Sequence, residues 1–149
     1  METTQILEFG LDGHRFGIYA RDVHEVLRAA TPSPLPGAPA VVSGILNLRG
    51  TFVAVYDLRS RFGLPPRALE ASDHFVIADA GRKVSVVVDR AHALITIPVA
   101  DIEAARDLPT TTDGVAGAVR LPDGMIVLVD LREFLTEAES TQLDAALAP

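Results

Sequence analysis

The chain has 149 residues, of which 48% are hydrophobic, and it carries a formal net charge of -7 at pH 7. This length allows one compact domain with a hydrophobic core, while the acidic balance argues against binding to nucleic acid or to an anionic membrane surface. Apolar runs stay well below the roughly 20 residues that span a bilayer, no signal segment opens the chain, and cysteine is absent, so we expect a soluble cytoplasmic protein without disulfides.

Strand patterns dominate the first half of the sequence. The predicted elements are strands at Ile6–Leu11 and Arg15–Ala20, two strands within Gly44–Tyr56, and a single helical turn at Leu58–Leu64. Asp12-Gly13, between the first two strands, is typical of a tight hairpin turn. Val23, Val26 and Leu27 form a short apolar segment of ambiguous period. Prolines without amide donors recur through 31–39, which is therefore predicted to be an ordered surface loop.

The second half begins a similar series of strands. The predicted strands are Phe75–Ala78, Lys83–Val88, Leu94–Ile97, Val115–Leu121 and Met125–Val129. The polar stretch Pro98–Asp113 is predicted to be a connection with one helical turn near Ile102–Ala105. From Leu131 onward, apolar residues recur at helical spacing and predict a C-terminal helix at about 130–147.

The second half also repeats features of the first. The matched positions are Phe9 with Phe75, Gly44 with Gly117, Gly50 with Gly124, and Asp57-Leu58-Arg59 with Asp130-Leu131-Arg132. Chance recurrence of turn residues is the alternative explanation. A unit of this size fits a small five-stranded barrel, and half the chain could not bury enough surface to be stable alone. The sequence therefore predicts two similar β-barrels joined by an apolar, permanent seam.

Motifs for catalysis or cofactor binding are absent from the sequence, which has no nucleophile elbow, phosphate-binding loop or dinucleotide fingerprint. None of the four histidines has metal-ligand spacing; they are His14, His24, His74 and His92. His24 and His92 occupy matching places in the two halves, which favours a shared packing role. Asp57, Asp89 and Asp130 each end a strand near an arginine, which favours caps or ion pairs over acid–base chemistry. We therefore predict no enzymatic activity, no metal and no cofactor.

One long segment and three shorter ones carry a family resemblance. They are Ser43–Leu64, which contains Asn47-Leu48-Arg49-Gly50, and then Pro36-Gly37-Ala38-Pro39, Val86-Val87-Val88-Asp89 and Asp123–Leu131. Together they resemble CheW-type coupling proteins, the adaptors of bacterial chemotaxis, from about Gln5 to Leu135. The resemblance implies an all-β fold of two intertwined SH3-like five-stranded β-barrels with short helices, one of them C-terminal. It implies a single CheW-like domain over 1–149, with subdomains at about 9–64 and 73–135.

The resemblance also implies a function. Such adaptors bind the regulatory domain of a chemotaxis histidine kinase and the cytoplasmic tip of a transmembrane chemoreceptor, and so couple receptor state to kinase activity in signalling arrays. A chain of this kind would be a non-enzymatic scaffold beside membrane-bound receptor arrays, with no cofactor, nucleic acid or small-molecule substrate. Ala54 and Tyr56 stand where the family usually has Pro and Ile, and His92-Ala93-Leu94 departs from its common pattern. These departures leave open whether the pathway is flagellar chemotaxis or another chemosensory one.

Two alternatives stay open at this point. Within the same fold, the chain could be a specialised adaptor that binds only one of the two partners. From another class, the barrels could form a small-ligand sensor or an enzyme, which would need a closed pocket lined by convergent polar groups.

Four positions match family positions tied to coupling, and these are Val23, Glu25, Gly44 and Arg49. Because Glu25 and Arg49 both lie among apolar residues, we hypothesise that they form an ion pair at the edge of the first barrel. If the pair is partly buried, losing either partner would cost about 3–5 kcal/mol; the alternative is an exposed surface arginine. A groove for helical receptor tips is predicted at the seam. Its candidate lining residues are Val41, Ile45, Leu46, Val86 and Val88.

Overall fold

The computed structural model describes residues 1–108 and 113–148. The strands are β1 Thr3–Leu11, β2 His14–Tyr19, β3 Val23–Arg28, β4 Val42–Leu48, β5 Thr51–Tyr56, β6 His74–Asp79, β7 Lys83–Val88, β8 Arg90–Pro98, β9 Ile102–Ala104, β10 Val115–Leu121 and β11 Gly124–Val129. The α-helices are α1 Leu58–Arg61 and α2 Glu137–Leu147, and short 3-10 turns lie at Ala20–Asp22, Val99–Asp101 and Ala105–Asp107. In the described ranges, no helix has the length and apolar character needed to cross a membrane.

The strands form two sheets, which confirms the predicted all-β fold with a few short helices. The first sheet has the order β8-β1-β2-β11-β10-β9, and the second has the order β3-β6-β7-β5-β4. Each half of the chain therefore contributes one hairpin to the sheet of the other half: β1–β2 to the first sheet and β6–β7 to the second. The implied intertwining requires this exchange. The sheets do not follow the contiguous division at about 9–64 and 73–135, because β1 and β2 join the later strands while β6 and β7 join the earlier ones.

In each sheet, the two outer strands follow one another along the chain. After β3 the chain enters the proline loop, residues 29–41, where Ser33 pairs with Ile45 of β4. In the first sheet, a single 3-10 turn at Val99–Asp101 leads from β8 to β9. Since β3 and β4 are the outer strands of one sheet, and β8 and β9 those of the other, both sheets must curl so that their outer strands approach.

The repeat seen in the sequence is a true structural repeat. Gly44 and Gly117 each lie where the pairing register of a hairpin shifts. A Cβ on Gly44 would lie 2.4 Å from the carbonyl oxygen of Ser33, and one on Gly117 would lie 2.3 Å from that of Glu103. In both halves, then, a neighbouring segment passes so closely over the hairpin that only glycine fits.

The largest apolar cluster lies at the seam between the two sheets. It takes buried residues from both sheets and from α2, whereas two smaller clusters fill the interiors of the individual sheets. Alternation along the strands explains this division. In β6, for example, Phe75 and Ile77 face the interior cluster, while Val76 and Ala78 face the seam. The predicted apolar seam is confirmed.

Three predicted elements differ from the structure, one in type and two in their bounds. The helical turn expected at Ile102–Ala105 is strand β9, which pairs with β10. The strand expected at Leu94–Ile97 is longer, because its pairing with β1 extends from Arg90 to Pro98. The C-terminal helix begins at Glu137 rather than near residue 130, because Thr136 caps it in a capping box with Glu139.

Candidate functional site

Glu25 and Arg49 form the predicted ion pair. Nη2 of Arg49 lies 2.6 Å from Oε2 of Glu25, so the pair joins β3 to the β4–β5 turn. The side chains are 66% exposed for Arg49 and 32% exposed for Glu25, which makes this a surface pair. The expected partial burial of Arg49 was therefore wrong, and the loss of one partner should cost about 0.2–1 kcal/mol rather than several.

The turn that carries Arg49 holds it in an unfavourable backbone conformation. Arg49 has φ +50° and Gly50 has φ +88°, the positive pair that defines a type I′ hairpin turn. The side chain of Asn47 supports the turn by accepting a hydrogen bond from the N–H of Gly50 at 2.8 Å. Asparagine, aspartate or glycine adopts the first central position more readily than arginine. The backbone preference of this turn therefore does not account for the arginine at this position.

Arg49→Asn is expected to leave the protein as stable as the wild type or more stable by up to about 1 kcal/mol, because asparagine favours positive φ. Arg49→Ala keeps the strained backbone but removes the guanidinium, so it serves as the matched comparison. Urea unfolding of both variants, of Glu25→Ala and of the double variant Glu25→Ala/Arg49→Ala measures these effects. A coupling free energy of about 3 kcal/mol or more between Glu25 and Arg49 would contradict the surface pair.

Gly44 lies in β4 directly under the proline loop. Ser33 and Ile45 exchange backbone hydrogen bonds of 2.9 and 2.8 Å, which fix the loop against this strand. Because a Cβ on Gly44 would clash with the backbone of Ser33, Gly44 is needed to place the loop. Its place in the site is therefore structural, and it lies in the same hairpin as Arg49.

The predicted groove is not an open surface. Val41, Val86 and Val88 are 6%, 0% and 0% exposed and belong to the seam cluster, so their assignment to an exposed groove was wrong. Alternation along β7 puts Val84, Val86 and Val88 on the face that packs at the seam, while Lys83, Ser85 and Val87 lie on the other face. Ile45 and Leu46 are half-buried. Val23, at the start of β3, is also half-buried and packs against the seam.

Two exposed apolar side chains were missed by the sequence reasoning. Phe52 is 67% exposed and Met125 is 55% exposed. They occupy matching places, because each lies near the start of the second strand of its hairpin, opposite Asn47 and Arg120 respectively. A large apolar residue just beyond an Arg-Gly or Asp-Gly turn is the sequence signal that marks both. Phe52 adds apolar area to the hairpin that carries Arg49.

Asp89 is the centre of an ionic network near the proline loop. Its Oδ2 accepts a hydrogen bond from the N–H of Asp12 at 2.7 Å, and both of its oxygens lie 2.6 Å from Nη2 of Arg59. Arg67 bonds Asp89 at 2.6 Å and the buried Asp73 at 2.8 Å. The network therefore ties the β1–β2 turn to α1 and to the linker before β6.

The strand-end aspartates behave as predicted. Asp57 caps α1 by accepting a hydrogen bond from the N–H of Ser60 at 3.2 Å. Asp130 accepts one from the N–H of Arg132 at 3.0 Å. Together with the ion pairs of Asp89, these contacts confirm the interpretation as caps and ion pairs.

Asp89→Asn is expected to lower the free energy of unfolding at pH 7 by about 2 kcal/mol, because hydrogen bonds between charged groups are lost. Burial alone would raise the pKa of Asp89, but hydrogen bonds from Arg59, from the N–H of Asp12 and from Arg67 outweigh it and hold this pKa below its usual value. A carboxylate with a depressed folded-state pKa stabilises the protein above its unfolded pKa, and this contribution is lost as the pH falls through the folded pKa.

The difference in stability between the wild type and Asp89→Asn should therefore shrink below about pH 4. Urea unfolding from pH 7 to pH 2 measures it. Asp123→Asn is the control, since the Asp123 side chain is 78% exposed and its contact with Arg15 is a long one of 3.3 Å. A difference that stays constant down to pH 2 would contradict this assignment.

In residues 1–108 and 113–148, no group of three or more His, Asp or Glu side chains is arranged to hold a metal ion. His24 and His92 nevertheless share a structural position. Neither histidine is paired with a residue of the neighbouring strand: in β3 the pairing continues from Val23 to Glu25, and in β8 from Ala91 to Ala93. Each is thus the extra residue of a β-bulge.

Known proteins match nearly the whole chain. A family model described as a CheW-like domain matches residues 5–139. The chain is 28% identical to the chemotaxis protein CheW of Treponema pallidum, with 95% of this chain and 88% of that protein covered. It is 27% identical to the chemotaxis protein CheW of Bacillus subtilis, with 93% and 90% covered. It is 33% identical to protein FrzA of Myxococcus xanthus over 72% of this chain and 64% of FrzA.

A solved structure also matches the arrangement of both sheets. The crystal structure of the scaffolding protein TtCheW from Thermoanaerobacter tengcongensis superposes with a TM-score of 0.82. The sequence identity is 30%, and the match covers 93% of this chain and 92% of that one.

Proposed function

This chain belongs to the family of CheW-like domains, which contains scaffold proteins of chemotaxis, and from that premise we propose that it couples chemoreceptors to a histidine kinase. In this role it binds the regulatory domain of the kinase and the cytoplasmic tip of a receptor, in the cytoplasm beside membrane-bound receptor arrays. It contributes binding surfaces and catalyses no reaction of its own.

The observation that carries this proposal is the exposed hairpin β4–β5. The hairpin presents the guanidinium of Arg49 and, three residues later, the ring of Phe52, and both side chains are more than half exposed. Arginine and aromatic residues are the usual anchors of protein–protein interfaces. Within the described residues, Arg49 donates one side-chain hydrogen bond, to Glu25. The other N–H groups of its guanidinium are available to a partner protein. The turn holds the arginine at a cost in conformational energy, as expected of a group retained for binding.

Co-sedimentation tests the proposal directly. Purified chain is mixed with a receptor-tip fragment, with the kinase regulatory domain, and with both together, and the bound fraction is measured. The proposal expects the chain to bind each partner alone and all three to sediment as one complex. Binding to only one partner would overturn it in favour of a specialised adaptor.

A matched pair of variants tests the role of the hairpin. Arg49→Ala is expected to weaken partner binding at least tenfold. Arg120→Ala is the control, because Arg120 pairs with Glu103 at 2.7 Å and has similar exposure, 77% for Arg120 and 30% for Glu103, on the other hairpin. Equal loss of receptor binding in both variants would show that general surface charge, rather than Arg49, is responsible.

A further inference from the structure

The C-terminal helix α2 is fastened to the body of the protein by few contacts. Leu143 is its one fully buried residue and joins the seam cluster. Before it, Glu139 pairs with Arg61 of α1, and after it, Asp144 pairs with Arg82 of the β6–β7 turn. The helix thus carries an apolar anchor between two acidic side chains, and each acidic side chain meets an arginine at the rim of the seam.

A third contact reaches the proline loop. Nε2 of Gln142 donates a hydrogen bond to the carbonyl oxygen of Gly37 at 3.0 Å. The Cβ of Ala146 lies 3.9 Å from the place that a Cβ on Gly37 would take. The helix therefore bridges α1, the β6–β7 turn and the proline loop, and it covers the apolar groove between them.

The helix does not fill this groove. A cavity of about 310 Å³ lies between the start of α2 and the seam. Its lining includes Tyr56, Leu131 and Leu135 from the seam side, and Glu137 and Ser140 from the helix. Arg82, Arg132 and Glu133 complete this lining, so the cavity leaves room for polar contacts that α2 does not make.

Two properties make α2 a weak occupant. It has 11 residues, whereas isolated helices shorter than about 12–15 residues are marginal in water. The pair of Asp144 with Arg82 is 59% and 37% exposed, so it contributes little.

We propose that the groove under α2 is a second docking surface, which binds an acidic amphipathic helix of a partner protein in place of α2. The partner helix presents a glutamate, a leucine four residues later and an aspartate directly after that leucine, as α2 presents Glu139, Leu143 and Asp144. Arg61 and Arg82 select the acidic helix and repel a basic one. The native helix acts as a built-in competitor that lowers the apparent affinity of the partner. This surface is separate from the hairpin that carries Arg49.

A labelled peptide of residues 136–148 serves as the probe helix. It is titrated against the full-length wild-type chain and against full-length Leu143→Asp, whose own helix can no longer dock. The proposal expects Leu143→Asp to bind the peptide at least tenfold more tightly than the wild type. A peptide with Glu139→Arg should not bind, and adding Arg61→Glu to the Leu143→Asp chain should restore its binding.

An engineered lock gives a second measurement that does not depend on Leu143→Asp folding. The chain has no cysteine, and 3.9 Å between Cβ positions suits a disulfide. Gly37 has φ +84°, so a cysteine there is strained, but this strain is the same in the oxidised and the reduced protein. In the double variant Gly37→Cys/Ala146→Cys, the oxidised protein should bind no peptide up to millimolar concentration, while reduction should restore wild-type binding. The same molecule is thus its own control.

Equal peptide binding by the oxidised and reduced lock variants would overturn the proposal. So would the absence of rescue when the charges of residues 139 and 61 are exchanged. Size-exclusion chromatography tests whether α2 of a second copy of the chain occupies the groove instead. If the wild type forms a dimer and the oxidised lock variant does not, the groove binds α2 of a second copy. That result would overturn the proposal of a helix from a partner protein.

Discussion

Replacing Gly44 with alanine is expected to destabilise the protein by about 4 kcal/mol, because the new methyl group has no room. Its Cβ would lie 2.4 Å from the carbonyl oxygen of Ser33 and 3.0 Å from the Cβ of Pro32. The neighbour is backbone, which cannot rotate away as a flexible side chain would. The loop must therefore lift from β4 and lose its hydrogen bonds with Ile45. Urea unfolding measures the change in stability.

Gly124→Ala is the matched control for this prediction. Gly124 has φ +150°, close to the +158° of Gly44, but a Cβ there would meet no atom within 4 Å. Both substitutions share the backbone strain, which costs about 1–3 kcal/mol, and only Gly44→Ala adds the clash. If the two variants lose equal stability, the contact between Gly44 and the proline loop is not what requires glycine.

Phe134→Ala is expected to destabilise the protein by about 4 kcal/mol, because it removes a large side chain from the centre of the seam. Phe134 is 0% exposed. Its ring stacks on that of Tyr56 with 4.7 Å between ring centroids, and the guanidinium of Arg61 lies 5.5 Å from its centroid. Since the seam joins both sheets, the variant should still unfold in one transition at a lower urea concentration.

Phe52→Ala makes the same chemical change at an exposed position. Phe52 is 67% exposed, so its loss should change the free energy of unfolding by no more than about 0.5 kcal/mol. Two separate transitions in Phe134→Ala, one for each sheet, would show that the seam does not hold the sheets together as one cooperative unit.

The sequence was informative about local structure because turns have strong chemical signatures. Asp12-Gly13 and Arg49-Gly50 both form hairpin turns with positive φ at each residue. The exchange of hairpins between the sheets could not be read in the same way. Alternation shows that β2 has a buried face, but not that this strand lies parallel to β11. Partner choice between distant strands depends on packing across the seam.

Two of the wrong predictions, the burial of Arg49 and the start of the C-terminal helix, have a common physical origin. Apolar neighbours suggested that Arg49 was covered, but Arg49 lies in a tight turn with φ +50° and its side chain is 66% exposed. Apolar spacing from Leu131 onward suggested a helix, but the side chain of Asp130 bonds the N–H of Arg132 and favours a turn. In both segments, a local hydrogen bond or backbone angle overrides the apolar pattern.

The most direct test of the central claim, that this chain acts by joining a receptor to a kinase, is the rate of kinase autophosphorylation in a reconstituted mixture. Kinase and receptor fragment are assayed with and without the chain. We expect the chain alone to transfer no phosphate, and its addition to raise the kinase rate at least tenfold only when the receptor fragment is present. An equal rate with and without the chain, while all three proteins remain folded, would contradict the account.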